Sequence, residues 1–252
     1  MKTIVVKSFN GIGDLLFATP ALRVIKEAYP NSRIVFNTNK GELLLNNPFV
    51  DEIGRRDEGV FLEYPDPARC GHSKRPTQHH MITDWELICA AYKLETARPR
   101  CIPELYVTPL HTKRDAIGVQ VIHKDYYHKK RIWPHLDRLS TERPFEPIPQ
   151  ITGPGALLKF IHKISEYRCL VTAEGGVTSV ATALGIPCIV IYGGFMNPAW
   201  NGYDVNINIT SNVDCMYCYN LFPCENDYQC WDDIPYELVK GIALATFGEN
   251  EK

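Results

Sequence analysis

Apolar residues fall along this chain in two kinds of run. One kind is short, β-branched and closed by turn residues: TIVVKSF at 3–9, SRIVFNTN at 32–39, AIGVQVIH at 116–123, CLVTA at 169–173 and PCIVIYGG at 187–194. Such runs predict strands buried on both faces. The other kind spreads apolar positions at helical spacing, in LLFATPALRVIKEAYP at 15–30, MITDWELICAAYKL at 81–94, ALLKFIHKISEY at 156–167, TSVATALG at 178–185 and IPYELVKGIALATF at 234–247. Strand, helix and strand alternate at both ends of the chain, which predicts βαβ units and parallel sheets. Pro20 either sits in the first turn of a new helix capped by Thr19 or kinks a single helix. GELLLNNPFVDEIGR reads as a short helix, a turn and a weak strand, and PELYVTPL at 103–110 as a strand. Between Asp57 and Pro109 the pattern loosens, and DPARCGHSKRPTQHH reads as an exposed loop in which His72, His79 and His80 have no ligand spacing for a metal. A boundary near His111–Lys113 divides the chain into residues 1–111 and 112–252.

Two turns between a strand and a helix carry the candidate chemistry. After the strand 169–173 come Glu174, Gly175 and Gly176, then Val177, Thr178 and Ser179. Amides at a helix start have no intrahelical partner and the helix dipole is positive there, so such a turn binds an anion or merely makes a tight corner with Glu174 as its cap. After the first strand, Gly13 and Asp14 lie in the loop leading to its helix. In open α/β sheets ligands bind outside the carboxyl ends of the strands, so Asp14 is a candidate general base or a helix cap. Lys130 and Arg131, just before Trp133-Pro134, form a basic run suited to a diphosphate, or a solvated one.

Composition narrows these readings. The chain has 252 residues, enough for one large or two small α/β domains, and its formal charge of −2 argues against non-specific nucleic-acid binding. No stretch approaches a membrane span, and the segment before Asp14 has too few apolar residues for a signal peptide, so a cytoplasmic protein, or one peripheral at the inner face of a membrane, is expected. Of nine cysteines, Cys169 and Cys188 read as buried hydrophobes, whereas Cys215, Cys218, Cys224 and Cys230 lie within one short segment. Their spacing suits a structural Zn²⁺ or Fe site, the alternatives being free thiols or two disulfides.

Three segments together, GIGDLLFATPALRVIKEAYPNSRI, KRIWP and TAEGGVTSVATALGIPCIVIYGG, resemble glycosyltransferase family 9, the ADP-heptose:lipopolysaccharide heptosyltransferase group. The resemblance implies a GT-B architecture, two Rossmann-like parallel-sheet domains facing across a cleft, with an acceptor-side first domain and a nucleotide-sugar-binding second one. It implies an inverting transfer from a nucleotide-diphosphate sugar, an ADP-sugar being favoured, to a glycan, lipid-linked or other hydroxyl acceptor, without a catalytic metal. Asp14 falls at the family's catalytic aspartate and Arg131 at its phosphate-contacting lysine. Glu174, Gly175 and Gly176 take the places of its Asp-Ser/Thr-Gly, and Ser179 that of a helix histidine. A non-catalytic nucleotide-sugar or metal-binding module, and a sugar-nucleotide epimerase of the same fold, are the competing readings.

Overall fold

The computed structural model describes residues 2–63, 75–109, 113–122, 131–219 and 224–249. Two all-parallel sheets organise them. The first has the order β3-β2-β1-β4, built from β1 (Thr3–Lys7), β2 (Arg33–Asn37), β3 (Glu52–Ile53) and β4 (Val60–Phe61). The second has the order β6-β5-β7-β8-β9, from β5 (Ile117–Val119), β6 (Phe145–Pro147), β7 (Cys169–Ala173), β8 (Cys188–Gly193) and β9 (Ile207–Thr210). Every residue of β7 and β8 is buried, as their uninterrupted apolar sequences require of strands covered on both faces.

The helices are α1 (Ile12–Ala28), α2 (His80–Tyr92), α3 (Leu136–Leu139), α4 (Ala156–Ser165), α5 (Gly176–Ala183), α6 (Pro198–Asn201), α7 (Gln229–Asp232) and α8 (Tyr236–Glu249), with a 3₁₀ turn at Gly41–Leu44. α1 runs through Pro20 as one helix. Buried residues of both halves belong to one apolar cluster: Ile4, Leu16 and Phe36 share it with Tyr167, Val180 and Tyr192. A second cluster fills the other face of the second sheet, where Val239 and Ala243 of α8 meet Val171 and Ile189. Among the described residues, no helix is long and apolar enough to cross a membrane.

Three expectations change. PELYVTPL forms no strand over its described residues; α1 claims it instead. Thr19 Oγ1 accepts from Glu104 N at 2.9 Å, and the Glu104 carboxylate takes Arg23 Nε at 2.6 Å and the Tyr106 hydroxyl at 2.8 Å. Asp14 lies not in a loop but in the first turn of α1, because the helix begins at Ile12. His79 and His80 are not in a solvated loop: His79 caps α2 and His80 is 7 % exposed, stacked on Phe17 with ring centroids 5.5 Å apart. His72, Lys130 and the expected boundary at 111–112 lie outside the described residues.

Candidate functional site

Each sheet order contains a switch point, a place where connections leave a central strand in opposite directions. In the first sheet it lies beside β1 and in the second between β5 and β7. The loops at the carboxyl ends of such strands splay apart and open a crevice. The β1–α1 turn and the β7–α5 turn both stand there, and they touch. A Cβ on Gly13 would lie 3.2 Å from Ser179 Oγ and 3.4 Å from Gly176 N, and one on Gly176 would lie 3.0 Å from Ile12 Cβ and 3.4 Å from Gly13 N. A side chain at either position would require the facing helix start to give by a few tenths of an ångström.

The contact brings two positive dipole ends together. On the α1 side Asp14 answers it: its Oδ2 accepts from Gly11 N at 2.7 Å, so the carboxylate caps its own helix from the first turn while remaining half-buried at the crevice. On the α5 side Gly175 has φ 134° and ψ −154°, a conformation open to glycine alone. Ser179 Oγ donates to the Gly175 carbonyl at 3.2 Å. Glu174 is 6 % exposed, and its carboxylate forms an ion pair with Arg131 and accepts from Asn201 Nδ2 at 2.9 Å. Glu174 is therefore committed to neighbouring side chains, rather than free for a ribose. The Arg131 guanidinium lies over the Phe195 ring at 5.8 Å, with Nη2 3.8 Å from where a Gly175 Cβ would be. Of the remaining expected donor contacts, Val177 lines the crevice and Thr178 turns inward, donating to the Ala173 carbonyl at 2.8 Å.

Beside the paired turns opens a cleft of about 620 Å³. From the first half Ile12, Asn39, Lys40 and Glu42 reach it; from the second come Gln120, Ile122, Ile148, Ile151, Leu157, Phe160 and Val177. Its wall on the second half is mostly apolar, and Ile12 and Val177 belong to the helix starts that meet beside it. No sequence pattern marks this wall. Its residues 148–151 follow β6, a three-residue strand with no periodicity of its own.

The four clustered cysteines are all described and all unoxidised. The loop they share folds back on the end of β8, where Cys218 N donates to the Gly194 carbonyl at 3.0 Å and Cys230 packs on Gly194. Burial pushes the Cys230 thiol up, and the thiols of Cys224, Cys215 and Cys218 are near enough to push it further. In donor type the set suits Zn²⁺ or Fe, but its arrangement does not: among the described residues no three His, Cys, Asp or Glu side chains are set to hold a metal ion. Tyr217, Tyr219, Asp227 and Tyr228, in and around this loop, adopt positive φ without being glycine.

No family model matches the chain, and no curated protein matches it. Solved structures do. The bacterial iron-containing dodecameric glycosyltransferase TibC from enterotoxigenic E. coli superposes with a TM-score of 0.68 at 11% identity, over 100% of this chain and 77% of that one. A family 9 glycosyltransferase from Veillonella parvula gives 0.68 at 17%, over 98% and 97%. The E. coli ADP-heptose lps heptosyltransferase II gives 0.64 at 16%, over 100% of both. The chain thus has the two-sheet GT-B fold of the family 9 heptosyltransferases.

The histidines at the start of α2 carry a pH dependence. His79 Nδ1 accepts from Met81 N at 3.2 Å while Nε2 donates to the Gly202 carbonyl at 2.8 Å, so the ring is held neutral and burial lowers its pKa. Burial, with His79 beside it, lowers His80 to about 4 from 6.5. The unfolded chain therefore takes up these protons first. Stability is complete above the unfolded value and is lost as pH falls from 6.5 towards 4, by up to about 3 kcal/mol for His80. Thermal melts should show this loss in the native chain and a smaller one over the same interval in His80→Leu; equal losses would contradict the assignment.

Proposed function

We propose that this chain is an inverting glycosyltransferase that moves a sugar from a nucleoside-diphosphate sugar to an acceptor hydroxyl. The observation that carries the reading is the meeting of the two glycine turns at the switch points of both sheets, beside a cleft with an apolar wall. The diphosphate would rest on the amides of Gly175 and Gly176, close to Gly13 and against Arg131, with Lys130 of the same basic run contributing charge. The base would lie along Ile148, Phe160 and Val177. An adenosine donor is favoured by two proteins of this fold: TibC is solved with ADP-D-β-D-heptose and the E. coli heptosyltransferase WaaC with ADP.

In the transfer, the acceptor oxygen forms a bond to the anomeric carbon as the bond from that carbon to the diphosphate oxygen breaks. Charge grows on the diphosphate, where the turn amides and the Arg131 guanidinium would stabilise it. The acceptor proton passes to Asp14, and attack from the face opposite the leaving group inverts the centre. In this reading side chains and amides fill all the roles without a catalytic metal. The acceptor would be a glycan, a lipid-linked glycan or another hydroxyl compound.

Two observations favour a second reading, a nucleotide-sugar-binding module without turnover. Glu174 is committed to Arg131 and Asn201, and Ser179 stands where the family carries a histidine. The four-cysteine loop we read as a structural zinc or iron site, closed by Cys215, Cys218, Cys224 and Cys230 when metal binds. Their spacing and the iron in TibC support it. The ion would pin the loop against the end of β8 and take no part in the transfer.

Asp14→Asn keeps an oxygen for Gly11 N and removes the base. It should leave the nucleotide affinity within about twofold and lower turnover at least about a hundredfold. Normal turnover in that variant would remove Asp14 from the role, and a native chain that binds nucleotide sugars without turnover would favour the module. Elemental analysis of the purified chain should give about one equivalent of Zn plus Fe, lost in Cys215→Ser/Cys218→Ser. Less than about a tenth of an equivalent would rule the metal out.

A further inference from the structure

Three consecutive residues at the end of α6, Asn201, Gly202 and Tyr203, each make a hydrogen bond to a different part of the chain. Asn201 Nδ2 donates to Glu174 Oε2 at 2.9 Å. The Gly202 carbonyl accepts from His79 Nε2 at 2.8 Å, at the start of α2 in the other half of the chain. The Tyr203 hydroxyl pairs with Ser179 Oγ at 2.8 Å. Asn201 is 8 % exposed and Tyr203 1 %. The strap is itself fixed: Gly202 N donates to the Pro198 carbonyl, and Asn206 N and Asn208 Nδ2 both donate to the Tyr203 carbonyl.

Two of these bonds end on groups that set the geometry of the glycine turn. Ser179 Oγ donates to the Gly175 carbonyl, so the Tyr203 hydroxyl must donate to Ser179. The Gly175 carbonyl also accepts from Ser179 N at 3.0 Å, the first backbone bond of α5, so the chain from Tyr203 through Ser179 Oγ adds a second hold on that peptide plane, along which the N–H of Gly176 points the opposite way in a trans peptide. On the other side of Gly175, the guanidinium of Arg131 lies at a helix start whose dipole repels it. The Glu174 carboxylate holds it there, and Asn201 fixes the oxygen of that carboxylate that Arg131 leaves free.

We propose that Asn201 and Tyr203 are positioning residues for the diphosphate site, Asn201 acting through Glu174 on Arg131 and Tyr203 acting through Ser179 on the Gly175–Gly176 peptide. The inference rests on the reading of this turn as the donor site. It adds that donor affinity depends on two side chains that do not touch the donor. Removing either leaves the turn and the guanidinium present but wrongly aimed.

The test is calorimetric titration of the folded chain with ADP, GDP and UDP. Asn201→Ala and Tyr203→Phe should each weaken the nucleotide that binds best by about tenfold, the scale of one hydrogen bond in a charged network. The mechanism is read from non-additivity. In a Glu174→Gln/Arg131→Gln background, which neutralises the buried pair without orphaning either charge, Asn201→Ala should cost less than about twofold further. In a Ser179→Ala background, Tyr203→Phe should likewise cost less than about twofold. Native affinity in the folded single variants, or full additive losses in these backgrounds, would overturn the inference and leave the donor site standing. A native chain that binds none of the three nucleotides would overturn the donor reading, and the inference with it.

Discussion

Two helices start against each other in this protein, and the rest of the site follows from how that contact is made tolerable. The amino ends of α1 and α5 meet through Gly13 and Gly176, close enough that a methyl group on either would crowd the facing backbone. Each helix start presents unpaired amides and partial positive charge, so two of them side by side repel. Asp14 supplies negative charge on one side and Glu174 on the other. The two carboxylates and the Arg131 guanidinium balance the paired helix ends beside an apolar cleft.

The buried ion pair between Arg131 and Glu174 belongs to the same balance. Taking a guanidinium and a carboxylate out of water is costly, and their attraction offsets that cost only when the remaining polar atoms are also satisfied. Asn201 meets part of that requirement, and the Phe195 face supports the guanidinium. The short stretch after β8 thus does more than connect α6 to β9. Through Gly202 and His79 it also ties the site to the first half of the chain, so the two turns and the helix α2 are held in one frame.

Much of this was legible in the sequence wherever the period was long enough to read. The runs that became β1, β2, β7 and β8 carry four or more apolar or β-branched residues, and the glycine turn after β7 stands out because a strand ends and a helix begins around it. The strands β4 and β6 have two or three residues each and carry no period, so they could be found only from their pairing, whereas β3 corresponds to the weak strand that closes GELLLNNPFVDEIGR. PELYVTPL has the composition of a strand, but α1 draws its backbone and carboxylate away from any sheet. His79 and His80 sit in a polar stretch, and their burial depends on Phe17 and Tyr203, which lie far away in the chain. The Asn201-Gly202-Tyr203 strap was not legible at all. Its meaning lies in three long-range hydrogen bonds, and no local pattern announces them.

The most direct test is a crystal structure of the chain with a nucleoside diphosphate. The account predicts the diphosphate oxygens within about 3 Å of the Gly175–Gly176 amides and the Arg131 guanidinium. The base would lie on the wall formed by Ile148, Phe160 and Val177, and the Asp14 carboxylate would face the terminal phosphate across the crevice. A nucleotide bound elsewhere, with the glycine turns and the apolar wall left empty, would contradict it.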